Sequence, residues 1–262
     1  MSSSNDRSAL LAYRNPSFVD GDDGRPLRIL AEYLEPLARL QRERIKDTVV
    51  FFGSARLTED GPLGPFYEDA RKLAYLLTEW SLTIPGPCRF VVCSGGGGGI
   101  MEAANRGARE AGGRSIGLNI GLPHEQHPNK YIDPALVFEF HYFFMRKLWF
   151  AHLARALVVF PGGFGTLDEL TEILTLAQTQ KLDRTIPVVL YGSAFWREVI
   201  DFEALVRHGT IGREDLKLFE FVDDVPAAFA LLRSRLTVEG PAAATPAIAK
   251  SRTTHRPPPA GR

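Results

Sequence analysis

Six short apolar runs punctuate the middle of this chain, with helix-length stretches between them. The runs cover residues 49–52, 90–93, 115–119, 136–140, 156–160 and 187–191. Strands buried on both faces of a parallel sheet read in this way, as near-continuous apolar segments. The intervening residues 67–80, 100–111, 143–154, 167–180 and 195–206 are long enough for helices. This repeated β-then-α order predicts an α/β fold, a doubly wound parallel sheet with right-handed crossovers. Upstream, Leu30, Tyr33, Leu34, Leu37 and Leu40 fall at helical spacing. They predict a helix over 27–44 that packs on the main domain or on a second subunit. Residues 1–26 are polar and turn-rich, and 237–262 form a basic Pro/Ala-rich stretch. Neither can build a core, so both read as flexible tails around an N-terminal helix (27–47) and a single domain (48–236).

Composition narrows the class of function without choosing one. The chain has 262 residues, 45% hydrophobic, with 31 basic and 31 acidic side chains. That supplies a core, and the balanced charge argues against nucleic acid as a partner, because phosphate backbones are bound by surplus Lys and Arg. No apolar run reaches the roughly 18 residues of a membrane span, and the first residues lack the order of a signal peptide. The two cysteines, Cys88 and Cys93, form neither a disulfide scaffold nor a metal-like spacing. The expected setting is therefore cytoplasmic, with no membrane partner and no metal.

The candidate chemistry lies just after the strands, where open α/β sheets bind ligands. Ser94 is followed by five glycines, Gly95 to Gly99, and then by a helix. The fifth run is followed by Pro161-Gly162-Gly163-Phe164-Gly165-Thr166-Leu167-Asp168-Glu169, again opening a helix. Glycine loops at helix N-termini bring backbone N–H groups close to an anion, and the helix dipole favours its charge. Two such loops on neighbouring strand ends predict a clamped phosphate, with Thr166 adding a hydroxyl. The chain has no GxxxxGK[ST] motif, and Asn119 rather than an acid ends the third run, which disfavours a P-loop NTPase and a dinucleotide dehydrogenase. Glu169 serves no anion; a carboxylate there suits ribose hydroxyls or positive charge developing on a sugar ring.

SGGGGGIMEAANRGA, the Arg146-Lys147 pair and PGGFGTLDE together resemble the Lonely Guy (LOG) family of cytokinin riboside monophosphate phosphoribohydrolases, over about residues 48–210. Many bacterial members once carried a lysine-decarboxylase label. The resemblance implies a Rossmann-like fold, a dimer or larger homo-oligomer, and no cofactor. It also implies hydrolysis of the N-glycosidic bond of an adenosine 5′-monophosphate, often N6-modified, to free base and ribose 5-phosphate. The small-molecule partner is then a nucleoside monophosphate. It places the catalytic pair on Arg146 and Glu169, and substrate contacts on Gly97, Gly98, Gly99, Glu125, Lys147, Gly163, Gly165, Thr166 and Thr175. Phe143 stands where plant members have methionine, and the glycine loop is one residue shorter than theirs.

These residue types suit the reaction. Breaking a ribosyl C–N bond passes through an oxocarbenium-like state that a carboxylate stabilises, and the same group can orient or deprotonate water. Arg146 cannot be a base, because its pKa stays above about 12; it orients Glu169 or the phosphate. Two other classes compete. Carriers of the molybdenum cofactor share the fold and glycine loops but would not be expected to need the Arg/Glu pair. A pyridoxal-phosphate decarboxylase would need a lysine at a pocket wall and a partner for the pyridine nitrogen, and no such constellation stands out.

Overall fold

A computed structural model of the chain describes residues 10–121, 127–182 and 184–236. Their centre is one seven-stranded, all-parallel sheet in the order β4-β3-β2-β1-β5-β6-β7. The strands are β1 (Thr48–Phe52), β2 (Val91–Ser94), β3 (Ser115–Ile120), β4 (Val137–Phe140), β5 (Ala154–Val159), β6 (Val188–Tyr191) and β7 (Glu220–Val222). The helices are α1 (Pro16–Val19), α2 (Arg25–Arg42), α3 (Gly64–Leu82), α4 (Ile100–Glu110), α5 (Phe143–Leu153), α6 (Phe164–Gln178), α7 (Ser193–Val199), α8 (Phe202–Arg207) and α9 (Val225–Arg235). The chain winds outward from β1 to β4 and then returns to the other side of β1 at β5. The order therefore reverses between β1 and β5, where ligand crevices form in such sheets.

Alternating strand residues feed two cores, as the period of an extended chain requires. Val49, Phe51, Val92, Ala156 and Val158 pack under Leu73 and Leu77 of α3, Ala104 of α4 and Leu232 of α9. Val50, Phe52, Cys93, Leu157 and Val159 face Met145 and Trp149 of α5, Leu170 and Ile173 of α6, and Trp196 of α7. The doubly wound reading of the sequence holds. Three details differ from it. β7 and α9 follow the last expected helix, and the expected 195–206 helix is two, because Asp201 accepts the Ala204 N–H at 2.8 Å and starts α8 afresh. The helix after β5 begins at Phe164, three residues earlier than expected.

α2 packs on the main domain through Tyr33, Leu37 and Leu40, while Leu27, Leu30 and Leu34 on its outer side stay about half exposed. Short turns at Ala12–Arg14 and Asp22–Gly24 and the helix α1 precede it. Its Glu32 reaches across to the start of α5, where its carboxylate accepts the His141 and Tyr142 N–H groups at 2.7 and 3.2 Å. The Glu32 carbonyl also accepts the Trp149 indole at 3.0 Å. A carboxylate at a helix N-terminus satisfies orphan donors and complements the dipole. Glu32→Ala is expected to lower stability by about 1 kcal/mol in urea denaturation; an unchanged midpoint would contradict this assignment.

Candidate active site

Three strand ends are stitched into one crevice by backbone hydrogen bonds. The Ser54 N–H donates to the Pro161 carbonyl at 3.0 Å, and the Ser54 carbonyl accepts the Ile100 N–H at 3.1 Å. The loop after β1 thus lies between the two glycine loops, which follow β2 and β5. This corrects the expectation that they sit on neighbouring strands: β1 separates them.

Glycine is dictated sterically at several of these positions. Gly99 caps α4 at φ +61°, and a Cβ there would collide with the Ser54 carbonyl. Gly96 lies at φ +76° with the Asn119 side chain against the place a Cβ would take. Asn119 is buried and donates to the Phe138 carbonyl at 3.2 Å, so this strand end supports the loop rather than meeting a ribose. Gly97 and Gly98 complete the turn. On the other loop, a Cβ at Gly162 would strike the Thr166 hydroxyl, whereas positions 163 and 165 open into free space. Gly163 caps α6, and Thr166, buried in its first turn, donates its N–H to the Gly163 carbonyl at 3.0 Å.

Arg146 and Glu169 meet between these loops. Arg146 rises from α5 and Glu169 from the second turn of α6, and Arg146 donates to Glu169 Oε1 over a long 3.4 Å. Glu169 is buried, only 5% exposed, and Arg146 is partly buried. Burial pushes the Glu169 carboxyl up to about 7, against the opposing pull of Arg146 and Lys147. Burial likewise lowers the Arg146 pKa, opposed by Glu169 and Asp168, yet a guanidinium stays charged at any ordinary pH. The Arg146 Nε–H is buried without a partner among the described residues. Its guanidinium lies 5.2 and 5.7 Å from the Phe143 and Phe150 ring centres, and a Cβ at Gly95 would stand 4.0 Å from it.

Two of the residues expected to contact substrate are engaged within the fold. Lys147 turns its ammonium to Asp168 and Glu172, both at 2.8 Å. Burial works against that charge, but the two hydrogen bonds outweigh it and hold the Lys147 pKa above its ordinary value. Thr175 is on the exposed face of α6, and its hydroxyl donates to the Thr171 carbonyl at 2.7 Å. Glu125 falls outside the described residues. Sequence reasoning missed Asn105, which is buried, and Asn129, which is half-buried; they join Ser94 behind the first glycine loop, a grouping readable only from three-dimensional neighbours.

The described residues contain no group of three or more His, Cys, Asp or Glu placed to hold a metal, and no helix long and apolar enough to cross a membrane. A family model described as "Possible lysine decarboxylase" matches residues 101–232. The chain belongs to this family, the LOG family. Among curated LOG-family relatives, a rice (Oryza sativa subsp. japonica) protein named as a probable cytokinin riboside 5′-monophosphate phosphoribohydrolase, LOG4, is 27% identical over 73% of this chain and 78% of its own length. Arabidopsis thaliana LOG7, a cytokinin riboside 5′-monophosphate phosphoribohydrolase, is 29% identical over 52% of this chain and 58% of its own. The pyrimidine/purine nucleotide 5′-monophosphate nucleosidase of Escherichia coli K12 is 28% identical over 53% of this chain. The chain thus spans little more than half of LOG7 and 32% of the E. coli enzyme. The X-ray structure of the structural-genomics target TM1055 shares the fold, with a TM-score of 0.52 and 22% identity over 72% of this chain and 99% of that one.

Proposed function

We propose that this LOG-family protein hydrolyses the N-glycosidic bond of nucleoside 5′-monophosphates, releasing free base and ribose 5-phosphate. The observation that carries this reading is the largely buried Arg146–Glu169 couple, loosely paired between two glycine loops. The phosphate sits on the N–H groups of the Gly97–Gly99 turn and of Gly163 and Gly165 at the α6 start, with the Thr166 hydroxyl beside them, where helix dipoles favour its charge. Glu169 faces the ribose. As the C1′–N bond stretches, positive charge grows on the ring and the ionised carboxylate stabilises it. Glu169 also draws a proton from the attacking water; the hydroxyl ends on C1′ and the proton on the departing base. Arg146 draws the carboxyl down against the effect of burial, so that it ionises near neutrality. The names of LOG4, LOG7 and the E. coli nucleosidase support this class of substrate.

Adenine nucleotides, with or without an N6 substituent, are the proposed substrates, with the Phe143 ring beside Arg146 as one wall. Lys147 argues against decarboxylation through a Schiff base, since Asp168 and Glu172 hold it protonated. The test is chromatography of AMP and N6-isopentenyl-AMP after incubation with the protein. Release of base and ribose 5-phosphate is expected, with a rate that climbs with pH through about 7 as Glu169 ionises. Tight binding of a phosphorylated pterin with no turnover of either nucleotide would favour a carrier instead.

A further inference from the structure

A polar network holds the first glycine loop from behind, and the chemistry above makes no use of it. Asn129 donates its backbone N–H to the Gly96 carbonyl at 2.8 Å. Its side-chain amide reaches the Gly96 and Gly97 carbonyls at 3.1 and 3.0 Å and Asn105 Oδ1 at 2.9 Å. Asn105 Oδ1 also accepts the Ser94 hydroxyl at 2.7 Å, and the Ser94 oxygen accepts the Gly96 N–H at 3.1 Å. Asn129 Oδ1 accepts the Tyr131 N–H at 3.2 Å, which settles the direction the amide faces. One NH2 group thus meets three acceptors, two of them main-chain carbonyls of the loop.

Those bonds decide where the loop's donors point. In a trans peptide the C=O of one residue and the N–H of the next face opposite ways. With the Gly96 and Gly97 carbonyls turned to Asn129, the Gly97 and Gly98 N–H groups are sent to the opposite side. Among the described residues, neither N–H has a hydrogen-bond partner. We propose that Asn129 is the positioning residue of the phosphate cradle, holding two loop carbonyls so that the Gly97 and Gly98 N–H groups face the substrate's phosphate. This rests on the reading of the glycine loop as the phosphate site. The role demands an amide: aspartate would set a carboxylate oxygen against three acceptors, and alanine would leave the Gly97 carbonyl without its donor.

The test is a titration of isotope-labelled protein with inorganic phosphate, followed at the glycine amide resonances, beside steady-state kinetics with AMP. Asn129→Ala is expected to weaken phosphate binding about tenfold and to raise KM for AMP by the same factor, with kcat nearly unchanged. Asn129→Ser keeps a short donor and serves if the alanine variant does not fold; its loss should be smaller. Wild-type phosphate affinity in a folded variant overturns the proposal, as does a fall in kcat at constant KM. Absence of any phosphate effect on the wild-type glycine amides overturns it too. Wild-type protein that binds phosphate but cleaves no AMP defeats only the hydrolase reading, and the phosphate titration still decides the role of Asn129.

Discussion

Glu169→Ala is expected to lower kcat for release of base from AMP by about 10²- to 10⁴-fold, while KM changes little. In the proposed reaction the carboxylate acts on charge and a proton that exist only as the C1′–N bond breaks, so its loss falls on the transition state. The residue is nearly fully buried in the second turn of α6, and the proposed phosphate contacts are made by the two glycine loops rather than by its side chain. A variant with unchanged kcat would remove Glu169 from the chemistry. A variant with raised KM and normal kcat would reassign it to binding. Chromatographic initial rates over a range of AMP concentrations separate these outcomes.

The second large effect is on stability, and its sign follows from the same burial. The Glu169 carboxyl has an ordinary value of 4.5 and is pushed up to about 7 in the folded chain. Between those two values the native state holds more proton than the unfolded state, so stability falls as pH rises through that window. Below about 4.5 both states are protonated and nothing is lost; above about 7 the full loss, about 3 kcal/mol, is present. Glu169→Gln cannot ionise, although Arg146 remains beside it at every pH. Its stability relative to the wild type should therefore grow by about 3 kcal/mol between pH 4 and pH 8 in urea denaturation. Parallel pH profiles for the two proteins would refute the shift. The residue proposed for catalysis is thus one the fold would hold more comfortably as an amide.

Much of this site was readable from order and spacing alone. The central strands announce themselves because both faces of a parallel sheet are buried, which leaves apolar runs such as 49–52 and 156–160 with no polar positions. β7 escaped that test: it has three residues and its Glu220 is exposed. α9 was overlooked although Asp224 accepts the Ala227 N–H and Pro226 stands in its first turn, both ordinary start signals. Arg146 and Glu169 were legible through the residues around them, and the structure brings them together. Lys147 and Thr175 were assigned with them from matching family positions; Thr175 is on the exposed face of α6 and Lys147 pairs with Asp168 and Glu172. Asn129 left no trace, because it works by holding main-chain carbonyls, and any sequence offers those.

The reversal of strand order between β1 and β5 also bears on how the crevice is assembled. β1 meets β2 across a single helix, a local contact that closes a modest loop. It meets β5 only after the intervening units carrying β2, β3 and β4 have been laid down, a closure that costs more chain entropy. The first glycine loop belongs to the early half of the sheet, whereas Glu169 and the second loop belong to the late half. A partly folded chain that has zipped β1 to β4 would hold an anion cradle without its carboxylate. The two halves of the crevice face each other only once β5 docks beside β1.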